Sequence, residues 1–147
     1  MTNKELDRCL EHMHYAFRNL IREPDRILAK YGLGRAHHRA LYCIGHYAPS
    51  IGQAAKALQV SNQAFHRTMC NLITSNLVRV QTDKRNRRSR RLLLTAKGRR
   101  LEQRINGIQR HMFARVARIV GRKRMATWSV VMDQLAALRV GEGGASG

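Results

Sequence analysis

One apolar stripe limits what this chain can fold into. Leu101, Ile105, Ile108, Met112, Val116 and Ile119 recur at three- and four-residue intervals for about six helical turns. A second stripe, Leu6, Cys9/Leu10, Met13, Phe17 and Leu20/Ile21, opens the chain with the same period. The 147 residues leave only a lobe of about 60 residues between the two, too small to cover both faces. Each stripe is therefore expected to pack against a second copy, as an obligate homodimer. After the first stripe Pro24 disfavours helix at Glu23, which predicts a kink or a break before Ile27, Leu28 and Tyr31. Gly32 and Gly34 end that segment.

The middle of the chain reads as shorter elements. A helix is expected from about Arg35 to Tyr47, stopped by Pro49. Ser50 and Ser61 stand where N-caps belong, before a short helix Ile51–Leu58 and a longer one from Asn62 to about Ser75. Asn76 tolerates the left-handed backbone that ends a helix. Leu77 to Thr82 and Arg91 to Thr95 are strand candidates joined by a polar loop, a β-hairpin. Thr95 caps the long helix, and a last one is expected from about Arg122 to Arg139.

Charge falls unevenly on these elements. Lys and Arg number 28 against 9 Asp and Glu, a formal net charge of +19. Residues 1–34 hold six basic and five acidic side chains, whereas Arg79 to Arg104 hold eleven basic and two acidic ones. Such a patch points to a polyanionic partner. Only the first helix gathers several acids, and their spacing there is that of a solvated face. Two-metal nuclease and glycosidase chemistry is thereby excluded, and the chain is expected not to be an enzyme. No cofactor or metal is expected: His12 and His14 lie on different helix faces, and His37 and His38 are adjacent. Cys9, Cys43 and Cys70 are widely spaced and read as small buried residues, with a thiol-controlled regulator through Cys9 as the alternative. The absence of a long apolar run predicts a protein without a membrane partner, cytoplasmic and nucleoid-associated. Gly141 to Gly147 is expected to be a disordered tail.

Two helices joined by a tight turn and followed by a hairpin with a basic loop form a winged helix-turn-helix. Ala55 is small where two helices approach, Val60 is placed to plug the turn, and Ala64/Phe65, Thr68/Met69 and Leu72 are expected to face inward. Asn62, Gln63, His66 and Arg67 then lie outward beside Ser61, near the helix N-terminus that meets base edges. Asn and Gln suit adenine; Arg suits guanine. An unrelated helical hairpin with a solvated polar face gives the same pattern, so the stretch that follows decides. Leu77-Val-Arg-Val-Gln-Thr-Asp-Lys-Arg-Asn-Arg-Arg-Ser-Arg-Arg-Leu-Leu-Leu-Thr-Ala-Lys-Gly98 resembles the wing of the MarR family of bacterial transcription regulators: a D-x-R-[DN]-x-R loop, then L-T-x-x-G opening a long helix.

The resemblance extends over about residues 1–139 through the order of elements. It implies a mainly α fold with a small β-hairpin wing, dimerisation helices at 1–31 and 99–139, and a DNA-binding lobe at 35–98. Asp83 would brace the wing through Arg85 or Arg88, and Arg85 or Arg87 would enter the minor groove, with Lys84 and Arg90 beside them. Thr95 and Gly98 would shape the strand-to-helix junction. Family members carry a ligand cavity near the second helix, so His37, His38, Arg39 and Tyr42 are the expected contacts for a small aromatic or anionic effector. The expected function is a sequence-specific repressor that binds a pseudo-palindromic double-stranded operator as a homodimer and is released by such a ligand. A sequence-tolerant, architectural nucleic-acid-binding protein is the rival. Three positions depart from the pattern: Gln59 and Asn76 stand where Gly is usual, and Asn86 where the wing usually has a second Asp.

Overall fold

Local capping chemistry sets most element boundaries in the computed structural model, which describes residues 1–82, 84–86, 88 and 90–138. In chain order they are α1 (Asn3–Ala29), α2 (Arg35–Tyr47), α3 (Ile51–Ala57), α4 (Asn62–Thr74), β1 (Val78–Thr82), β2 (Arg90–Leu94), α5 (Ala96–Val120) and α6 (Arg122–Ala137). Ser50 starts α3 with a reciprocal box: its hydroxyl accepts from the Gln53 N–H at 3.2 Å, and the Gln53 side-chain oxygen accepts from the Ser50 N–H at 2.9 Å. Ser61 caps α4 by accepting from the Ala64 N–H, 3.2 Å. The expected tail and Arg139 lie outside the described residues.

Pro24 does not break α1. The helix continues through it to Ala29. A proline at this position has no N–H for the carbonyl four residues earlier, which leaves Leu20 O without its helical partner. Gln109 of α5 fills that position, its side-chain N–H donating to Leu20 O at 3.2 Å. Pro24 itself is buried, so the lost bond is offset by packing.

Two compact units divide the chain, Met1–Gln109 and Arg110–Gly147. The first holds the whole core: Ile27 and Leu28 of α1; Ala40, Leu41, Cys43 and Ile44 of α2; Ala54 and Ala55 of α3; Phe65, Met69 and Leu72 of α4; then Leu77, Val78, Leu92, Leu94, Leu101 and Ile105. Ala55 is 2% exposed, as a close helix approach requires. Strands β1 and β2 pair antiparallel with Val80 opposite Leu92 and Gln81 opposite Arg91. Within the second unit, Phe113 and Trp128 meet at 5.5 Å between ring centroids. Gly121, at φ 84°, turns the chain sharply from α5 into α6 through a backbone conformation that a side chain would strain.

Several inward assignments are corrected. Ala64 is exposed and Thr68 only half-buried, because Phe65, Met69 and Leu72 alone fill the seam behind α4. Val60 does not plug the turn: it is 42% exposed and borders an open groove beside Leu58, Ala64 and Phe65. Cys43 is buried as expected, but Cys9 and Cys70 are exposed. Gln59 and Asn76 do adopt left-handed backbone, φ 53° and 55°, and Ala48 joins them at 42° as the cap of α2. For the two residues other than asparagine this costs about 1 kcal/mol each.

Candidate nucleic-acid interface

The outer face of α4 is built by what lies behind it. Phe65, Met69 and Leu72 recur at four and three residues and are buried, which turns Asn62, Gln63, His66 and Arg67 to solvent around the first two turns. Ser61 stands exposed at the same end, its hydroxyl engaged in the cap. The positive end of the helix dipole adds to the attraction for phosphate there. At the outer face Cys70 Sγ lies 3.6 Å from His66 Nδ1, a pair one helical turn apart that spacing alone would have shown.

The opposite end of α4 is tied to the hairpin and to α5. Thr95 Oγ1 donates to Asn76 O at 2.7 Å and accepts from the Gly98 N–H at 3.0 Å, while the Thr95 N–H donates to Leu77 O at 3.0 Å. Lys97 Nζ donates to Ser75 O at 3.0 Å, placing an ammonium at the negative end of the α4 dipole. A Cβ at position 98 would fall 1.9 Å from Leu77 O, so only glycine lets α5 start this close to β1. The L-T-x-x-G motif is thus a strap that ties the end of α4 to the hairpin and to the start of α5.

Lys84, Arg85, Arg88 and Arg90 are exposed at the hairpin end. Asn86, in the place of an acid, accepts the Arg88 backbone N–H at 3.1 Å. The Asp83 brace and the Arg87 groove contact lie outside the described residues.

The four expected effector contacts point different ways around α2. His37 Nδ1 accepts from the Gly34 N–H at 3.0 Å, and its Nε2 lies 3.2 Å from the Asn71 side-chain amide of α4. Burial holds this imidazole below its ordinary pKa. His38 is 8% exposed and donates from Nε2 to Asn106 Oδ1 at 2.8 Å. Asn106 in turn donates to Glu102 Oε1 at 2.5 Å, and His46 Nδ1 stands 3.9 Å from the same oxygen. Tyr42 is exposed and stacks on His46, centroids 4.0 Å apart. Arg39 borders a separate apolar groove with Leu58, Val60 and Phe65. Glu102 and Asn106 were not singled out in the sequence, because His38 and His46, the groups they meet across the fold, lie on another helix more than fifty residues away. Their chain of bonds pins α2 to α5.

An exposed polar helix face strapped to a cationic hairpin defines a winged helix-turn-helix, a fold class whose reading helix enters the DNA major groove. The chain is 32% identical over 136 residues to the HTH-type transcriptional regulator PetP of Rhodobacter capsulatus, an alignment that takes in 92% of this chain and 82% of the relative. Residues 31–89 match the MarR family. The chain belongs to the MarR family of DNA-binding transcription regulators. Solved structures share the fold at low identity. Streptococcus pneumoniae FabT in complex with DNA has a TM-score of 0.76 at 18% identity, covering 89% of this chain and 94% of that one. NadR in complex with 4-hydroxyphenylacetate has a TM-score of 0.70 at 17% identity, covering 86% and 91%. No helix among the described residues is long and apolar enough to cross a membrane.

Proposed function

We propose that the chain is a sequence-specific repressor that binds a pseudo-palindromic operator as a homodimer and releases it when a small aromatic or anionic ligand binds. The observation that carries this reading is the outward face of α4: Asn62, Gln63, His66 and Arg67 stand together and exposed on a helix whose other side is fully packed. Groups with bidentate hydrogen-bonding capacity on a rigid helix are what base-edge reading needs. Lys84, Arg85, Arg87, Arg88 and Arg90 supply the wing's DNA contacts, with Arg85 or Arg87 in the minor groove and Asp83 bracing the wing through Arg85 or Arg88. Dimerisation through α1, α5 and α6 is supported by the apolar faces these helices leave exposed. Two copies then offer their reading helices roughly 34 Å apart, to half-sites about 10 base pairs centre to centre. Ligand release is supported by the 4-hydroxyphenylacetate complex of the NadR neighbour. Arg39 and Tyr42 are the exposed members of the expected effector set, and His37 and His38 would meet a ligand only by giving up their present bonds.

Selection of bound duplex from a random pool tests this reading. A two-fold-related motif with half-sites one turn apart is expected. Arg67→Ala should cost ~1–3 kcal/mol and relax preference at one position of each half-site, whereas Arg85→Ala should weaken all sequences alike. No enriched motif, or equal loss on selected and random duplex for Arg67→Ala, would favour sequence-tolerant binding instead.

A further inference from the structure

The outer face of the hairpin carries a concavity that base reading does not use. Pleating puts Arg79 and Gln81 of β1 on one face with Arg91 and Leu93 of β2, since Gln81 pairs with Arg91 and Arg79 with Leu93. The Leu92 N–H donates to Pro49 O at 2.9 Å, and Ser50 bridges Arg91, which brings the left-handed cap of α2 against that face. The result is a cavity of about 340 Å³ lined by Ala48, Gln81, Lys84, Arg85, Arg91 and Leu93.

Its chemistry is one-sided. Arg79 Nη1 donates to Gln81 Oε1 at 3.1 Å, which occupies the acceptor of that amide and leaves its N–H groups as donors. Lys84 and Arg91 contribute donors and positive charge, Arg85 borders them, and no carboxylate lines the cavity among the described residues. Ala48 and Leu93 form a half-buried apolar floor. Several convergent cationic donors suit an anion with many oxygens, and the guanidinium fork matches phosphate in particular. The volume lies at the lower end of the ~300–1,000 Å³ typical of small-molecule sites, more than a lone phosphate fills.

We propose that this cavity is a seat for a small organic phosphate of nucleotide size, its phosphates on Lys84 and Arg91 and its apolar part over Ala48 and Leu93. Because Lys84 and Arg85 also belong to the wing, an occupied seat competes with DNA; that consequence rests on the DNA-binding reading above.

Calorimetric titration of ADP into the full chain at about 0.15 M salt tests it, where long-range charge is screened. Saturable binding of one ADP per chain is expected. The pair Lys84→Gln/Arg91→Gln should weaken it by about tenfold or more, the loss expected for removed charge-assisted hydrogen bonds. The pair Arg115→Gln/Arg118→Gln removes the same charge from α5 and should change it by less than about twofold, as screened surface charge does. Equal weakening by both pairs, or no saturation with the native chain, overturns the proposal. If the Lys84/Arg91 pair lowers duplex affinity but leaves ADP binding intact, the residues serve the DNA backbone and the seat is likewise overturned. ADP binding without any duplex binding would uphold the seat and remove the DNA reading instead.

Discussion

The two compact units differ in where they find their partners. In Met1–Gln109 every helix sends apolar residues into one core, with Leu28, Ala40, Leu41, Leu72, Leu77, Leu92 and Ile105 fully buried. Among the described residues from 110 to 138 none is buried, although Val116, Ile119, Trp128, Val131 and Leu135 are as apolar as any in the core. Apolar content is therefore not what separates the units. Closure is: the first unit has elements crossing at several angles around one centre, whereas the second has one helix end and α6, and two helices cannot enclose a centre. The first unit carries the outward face of α4 on a packed core and leaves only the start of α1, with Leu6, Leu10, Met13 and Phe17, apolar and exposed, whereas the second is throughout an unfinished surface of the kind that association completes.

The largest test of that contrast lies at two glycines of α5. Gly98→Ala places a Cβ 1.9 Å from Leu77 O, against backbone that cannot yield cheaply. Overpacking of this severity should cost about 4 kcal/mol or more in urea unfolding and uncouple α5 from the wing. Gly107→Ala meets nothing within 4 Å, so it should instead stabilise by roughly 0.5–1 kcal/mol through helix propensity. Similar losses at both positions would show that the close junction is not what holds the first unit.

Next comes truncation of one apolar side chain in each unit. Leu72→Ala should lower stability by about 2–5 kcal/mol at every protein concentration, because the cavity forms inside the chain. Trp128→Ala, at a residue 43% exposed, should act mainly through association, so that its effect on the midpoint grows as the protein is diluted. Sedimentation at the same concentrations checks the link. A concentration-independent loss for Trp128→Ala would mean that the second unit has a core of its own, and the contrast would fail.

The smallest expected effect is a pH dependence confined to the first unit. Burial lowers the His37 pKa below its reference value of 6.5, so the unfolded chain binds more protons than the folded one between the two values. Stability from this group is therefore present above about pH 6.5 and falls as pH drops through that value toward the folded pKa. Unfolding measured at pH 5.5 and 7.5 should show a smaller difference for His37→Gln than for the native chain. An unchanged difference would assign the dependence to other histidines.

Helix starts were legible because a cap is a three-residue interaction: Ser50 with Gln53, Ser61 with Ala64 and Thr95 with Gly98 can be read wherever they occur. The outward face of α4 was legible for a similar reason, since the spacing of Phe65, Met69 and Leu72 leaves Asn62, Gln63, His66 and Arg67 nowhere else to point. The surroundings of His37, His38, Arg39 and Tyr42 were not. His37 and His38 stand about 100° apart on α2 and so meet α4 and α5, while Tyr42 stacks on His46 of its own helix.

By itself, then, the sequence determined the order of elements, the winged helix-turn-helix and the excess of positive charge on it, all carried by local spacing and residue type. Only the tertiary structure decided that Gln109 completes the backbone opened by Pro24, that His38, Asn106 and Glu102 join α2 to α5, that Val60 and Cys70 face solvent, and that Arg91 and Gln81 border a cavity with Ala48. Each depends on groups brought together from distant parts of the chain. His38 and Asn106 lie 68 positions apart and Leu20 and Gln109 lie 89 apart, and no periodicity of one helix encodes which carbonyl of another is left without its N–H.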